Sequence, residues 1–137
     1  MSRFVLDCSV SMRWCFHDDS TAYAEQILRR LSSSEAWVPS LWPLEVANVL
    51  LANERRRRLT PADSSRFVAL LQTLPIRIDP DTSARSLSDV LPVARAHRLS
   101  AYDAAYMELA MRLGCPIATL DEDLRRAAKP LGIDLFH

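Results

Sequence analysis

The sequence predicts an α/β fold, a three-layer α/β/α sandwich around a central parallel β-sheet. Three observations lead there. Short apolar runs alternate with longer stretches whose apolar residues recur at helical spacing, the pattern of successive strand–helix units. Runs such as Phe4-Val5-Leu6 are apolar on consecutive residues, which suits strands covered on both faces. Acidic residues also stand repeatedly where a run ends or a helix opens, junctions that an open parallel sheet collects along its carboxyl edge.

Taken in order, residues 3–7 form the first expected strand, closed by Asp7, and Ser9 caps a helix over 9–16. A helix over 20–31 leads to a strand at 36–38. Pro43 suits the first turn of a helix over 42–57, and Thr60 caps one over 61–74 that has Pro61 in its first turn. After a strand at 76–79, the periodic segment 83–98 contains Pro92, which should kink or divide it. A helix over 101–113 stops at Gly114, a residue type that tolerates the left-handed turn after a helix. A strand at 116–120, a helix over 122–128, a stop at Gly132 and a last strand at 133–136 complete the chain.

The 137 residues are expected to make one domain, and with 49% hydrophobic residues a full core is available. No apolar run reaches the ~20 residues needed to span a membrane. The opening residues enter a strand directly, and Cys8, Cys15 and Cys115 are odd in number without metal-ligand spacing. A cytoplasmic location with reduced thiols is therefore expected. Seventeen basic and seventeen acidic residues cancel, so bulk charge does not advertise nucleic-acid binding. Two glycines exclude a glycine-rich phosphate loop. His17, His97 and His137 are scattered, with no paired ligand spacing, and Trp14, Trp37 and Trp42 read as core.

Asp7, Glu45, Asp103 and Asp121 are the candidate site. Each has a structural alternative. Asp7 could shape a turn, Glu45 could complement a helix dipole, and Asp103 could complete a capping box with Ser100. Asp121 and Asp123 could simply open a helix. Glu45 and Asn48 are the polar interruptions of an otherwise apolar helix, and Asp103 lines up with Met107 and Ala110, away from the Glu108/Arg112 pair expected at the solvent face. Four carboxylates brought to one edge repel one another. A divalent cation between them removes the conflict, and oxygen ligands select Mg²⁺ or Mn²⁺.

The series Val5-Leu6-Asp7-Cys8-Ser9, Leu44-Glu45-Val46-Ala47-Asn48, Ala101-Tyr102-Asp103-Ala104-Ala105-Tyr106 and Ala118-Thr119-Leu120-Asp121 resembles the motifs of PIN-domain ribonucleases, and more narrowly of VapC-type toxins. The resemblance implies a domain over residues 1–137 that cleaves RNA with water activated by Mg²⁺ or Mn²⁺. It implies Asp7, Glu45, Asp103 and Asp121 as the acidic quartet, Asp123 as an additional or substitute ligand, and Ser9 and Thr119 as polar support; Asn48, one turn from Glu45, is read as further polar support. The resemblance implies a cognate antitoxin as protein partner, and a homodimer is also expected. Arg13, Arg55 and Arg112 are candidate RNA contacts, since the arginine fork suits phosphate.

Other readings differ at identifiable residues. A scaffold of the same fold without catalysis would have lost acids that are present here. A haloacid-dehalogenase-like enzyme wants an aspartate where Ser9 stands, and a receiver domain wants a lysine late in the sheet, which Lys129 matches poorly.

Overall fold

The computed structural model describes residues 2–16 and 21–137. Four parallel strands form the sheet: β1 (Ser2–Leu6), β2 (Ser34–Val38), β3 (Ile76–Ile78) and β4 (Ile117–Ala118). Their spatial order is β3-β2-β1-β4. Val5 pairs with Trp37 on one side of β1 and with Ile117 on the other. The chain thus builds outward from β1 through β2 to β3 and returns to add β4 on the opposite side. That reversal leaves a crevice at the carboxyl ends of β1 and β4.

Helices flank the sheet: α1 (Cys8–Ser11), α2 (Ala22–Arg30), α3 (Trp42–Arg55), α4 (Pro61–Thr73), α5 (Thr82–Arg85), α6 (Leu91–His97), α7 (Ala101–Leu113) and α8 (Glu122–Ala128). Phe4, Val5 and Leu6 are all fully buried. Successive strand residues face opposite ways, so both faces of β1 are covered, and the sandwich has the three layers expected. Burying each of these side chains contributes roughly 1.5–3 kcal/mol. Trp14 and Trp42 lie in the same core, with their indole N–H groups donating to Ala24 O (2.7 Å) and Ser11 Oγ (3.2 Å).

Several boundaries differ from expectation, for physical reasons. The first helix tightens after α1 into a 3₁₀ turn over Met12–Trp14. Ser20 lies outside the described residues, and α2 begins after Thr21, whose hydroxyl accepts from Ala24 N. The segment around Pro92 divides as expected: a π-helical stretch, Ser86–Val90, separates α5 from α6. The wider turn accommodates a proline that lacks the N–H for a regular helical bond. The last expected strand reduces to one parallel bridge, Ile117 with Leu135. Nor is α3 buried all round: Leu44 is 75% and Leu51 45% exposed.

Candidate functional site

Asp7 follows β1 directly, and its backbone N–H donates to Ala118 O at 2.9 Å, which fixes it beside the end of β4. Its carboxylate is buried. Ser9 Oγ and Thr119 Oγ1 both donate to Asp7 Oδ2, at 2.5 and 2.8 Å. Ser9 Oγ in turn accepts from Leu120 N, and Thr119 Oγ1 from Asp121 N, each at 3.0 Å. Two hydroxyls therefore bind the ends of β1 and β4 together while aiming one carboxylate. Burial pushes the Asp7 carboxyl up, the two hydroxyls pull it back, and the Asp121 charge adds to the rise.

Asp103 enters from the first turn of α7. Ser100 Oγ caps this helix by accepting from Asp103 N at 3.1 Å. The helix start is thus satisfied by Ser100, whereas in α4 the pair Thr60 and Asp63 forms a full reciprocal box. Desolvation, followed by the charges of Asp121, Asp7 and Asp123, pushes the Asp103 carboxyl up to about 6. Along the same stripe Met107 and Ala110 are buried.

Glu45, in the first turn of α3, is half-buried, and Tyr106 Oη donates to its Oε1 at 2.5 Å. Burial raises the Glu45 carboxyl, the Tyr106 hydroxyl lowers it, and the charges of Asp7 and Asp103 raise it again. Asp121 opens α8, accepting from Leu124 N through Oδ1 at 3.0 Å, so it caps a helix and also faces the other acids. The four acids are thus electrostatically linked at the crevice. Among the described residues, no three His, Cys, Asp or Glu side chains close tightly enough to cage a metal ion by themselves. The charges of neighbouring acids help raise the carboxyls of Asp7, Glu45 and Asp103.

The remaining expected residues divide. Asp123 is exposed and contributes charge toward Asp103, and Asn48 is exposed on α3. Arg13 is half-buried beside Ser9 on a cavity wall, and Arg55 is exposed in the last turn of α3. Arg112 requires a correction, because its guanidinium is committed elsewhere. It forks onto Asp79 at 2.8 and 3.0 Å and onto Glu108 at 2.9 and 3.1 Å. Glu108 is buried, so this pair marks an internal strut between α7 and the end of β3, not a solvent face. Asp79 is another strand-end acid, yet hydrogen bonding to Arg112 holds it below the usual carboxylate range. Having a cation, it stays out of the mutually repelling set.

Sequence reasoning missed two supporting residues. Tyr106 stands three positions after Asp103, hence on the same helix face, and that spacing was the available signal. Arg125 donates through Nε to Thr119 O at 2.8 Å, a contact that no local pattern reveals.

Residues 4–130 match the PIN domain family. Ribonuclease VapC3 of Pyrobaculum aerophilum is 28% identical over 122 residues, covering 89% of this chain and 92% of the relative. Among solved structures, PAE2754 from Pyrobaculum aerophilum superposes with a TM-score of 0.68 at 22% identity, over 92% of this chain and 84% of that one. The VapBC2 structure from Rickettsia felis, bound to a DNA fragment from its promoter, has a TM-score of 0.66 at 8% identity, over 98% of this chain and 97% of its counterpart.

Proposed function

The chain belongs to the PIN domain family, and from that premise we propose that it is a metal-dependent endoribonuclease, the toxin of a type II toxin–antitoxin pair. Asp7, Glu45, Asp103 and Asp121 are its working acids, with residues 1–137 acting as one nuclease domain. One observation carries the reading. The raised carboxyls of Asp7, Glu45 and Asp103 each owe part of their rise to other acids of the same set. Folding leaves this repulsion in place, and a divalent cation offsets it.

The donor set is all oxygen, which suits Mg²⁺ or Mn²⁺. Such an ion keeps several waters and takes only one or two direct carboxylate ligands. Asp7 and Asp103 would hold it, with Glu45 and Asp121 acting directly or through water and Asp123 as an additional acid. When bound, the ion lowers the pKa of a water, orients it toward phosphorus and offsets charge on the leaving oxygen. The chain's own part is positioning. Ser9 and Thr119 lock Asp7, Tyr106 fixes Glu45, and the α8 N-terminus fixes Asp121. A small antitoxin is the proposed protein partner, supported by the likeness to the VapBC2 complex, and a homodimer is the proposed assembly. No helix among the described residues is long and apolar enough to cross a membrane.

The test is cleavage of single-stranded or loop RNA by purified protein with Mg²⁺ or Mn²⁺, with chelator, and after Asp7→Asn or Asp103→Asn. Activity should require the metal, and each substitution should reduce the rate by orders of magnitude while RNA binding persists. Undiminished cleavage in chelator, or by Asp7→Asn, would overturn the mechanism. Binding without any cleavage under all metals would favour a non-catalytic RNA-binding scaffold.

A further inference from the structure

A cavity of about 360 Å³ opens beside the acids, lined by Cys8, Ser9, Met12, Arg13, Phe16, Val49, Asn53, Arg56 and Arg58. Ser9 belongs to both places: it borders this cavity while its hydroxyl donates to Asp7 at 2.5 Å. The two sites are therefore one side chain apart. Three arginines and no carboxylate stand among the described lining residues. The Arg58 guanidinium lies 5.0 Å from the centroid of the Phe16 ring. Asn53, 7% exposed, donates through Nδ2 to Val49 O at 2.8 Å, and among the described residues its Oδ1 has no hydrogen-bond partner.

We propose that this cavity is a nucleotide subsite, which takes the sugar-phosphate and base of a single-stranded RNA residue next to the phosphate being cut. This deepens the ribonuclease reading and rests on it. Arginines supply the charge and forked geometry that phosphate accepts. An aromatic ring paired with a guanidinium is a platform on which an unstacked base can lie. A continuous duplex could not deliver a splayed base here, so the site selects single strands and loops.

The probe is a fluorescent single-stranded RNA dodecamer of mixed sequence, titrated against the full chain carrying Asp7→Asn in Mg²⁺ at several salt concentrations. Arg56→Ala and Arg58→Ala should each weaken binding and reduce the slope of log K against log salt by about 0.7, the share of one single-strand phosphate contact. Phe16→Ala should weaken binding about 5- to 150-fold, the range for one base–aromatic stack. Arg95→Ala, an exposed arginine on α6 outside the cavity, should leave both quantities unchanged. Unaltered affinity in the two arginine variants, or an equal loss in Arg95→Ala, overturns the subsite. A duplex dodecamer that binds as tightly as the single strand does so too. These readouts involve binding alone, so a chain that binds as expected but does not cleave would overturn the ribonuclease reading and not the subsite.

Discussion

Replacing Asp103 by Asn should make the metal-free protein more stable at neutral pH. The folded carboxyl is pushed from 3.8 up to about 6, chiefly by desolvation and then by Asp121, Asp7 and Asp123. At 1.36 kcal/mol per pH unit that displacement is worth about 3 kcal/mol. Half-burial and solvent screening reduce it to roughly 1–2 kcal/mol. The sign follows from linkage. A carboxyl that binds its proton more tightly when folded contributes stability that is fully present below pH 3.8. That contribution is lost as pH rises through about 6. The opposing effect is the helix dipole, which favours a negative charge in the first turn of α7 by about 0.3–1 kcal/mol. Repulsion and desolvation therefore win. Thermal unfolding of both proteins in chelator, from pH 4 to 8, should show wild type losing ground to Asp103→Asn across pH 4–6.5. The variant should be the more stable at pH 7.5. Comparing the two cancels the titration of groups they share. Added Mg²⁺ should then stabilise wild type by about RT ln(1 + [L]/Kd), or about 2.7 kcal/mol at a hundred times Kd, and the variant far less. A variant that is weaker than wild type at every pH, and gains equally from Mg²⁺, would reduce Asp103 to a helix-terminus charge.

Two further perturbations probe the supports. Tyr106→Phe removes the hydroxyl that lowers the Glu45 carboxyl, so the acid limb of the pH–rate profile should move to higher pH; an unmoved limb would mean that Tyr106 serves only the core. Arg112→Met leaves Asp79 and Glu108 buried without their cation and should cost about 3 kcal/mol in urea unfolding, with the salt slope of RNA binding unchanged; a cost under about 0.5 kcal/mol, or a shallower slope, would return Arg112 to the surface role expected from sequence.

The strand positions were legible because buried parallel strands leave a simple trace: consecutive apolar residues closed by a polar one, as at Phe4 to Asp7. The segment at Ile133 to Phe136 carries a similar trace and yet makes one bridge, since pairing depends on a partner edge that composition does not encode. Helix caps such as Thr60 and Ser100 were legible because capping is local. Arg112 was misread for the complementary reason. A Glu108/Arg112 spacing looks the same on a wet face and in a core, and the deciding residue, Asp79, lies 33 positions away. The bonds that organise the acids, Ser9 to Leu120 and Thr119 to Asp7, span 111 and 112 positions. Periodicity is blind at that range, and only the order of strands in the sheet brings those residues together.

That strand order also sets when the acids can meet. Asp7 is made early and waits on β1, while its two neighbours across the crevice, Thr119 and Asp121, arrive with β4 near the other end of the chain. Pairing Val5 with Ile117 closes a loop of more than a hundred residues, an entropic cost that falls due only when that far segment exists and docks. A growing polypeptide, with β1 through β3 already folded, still holds an incomplete set of carboxylates. Three of the four strands can pair without β4, but until it docks the crevice lacks Thr119 and Asp121, and the acids are not gathered.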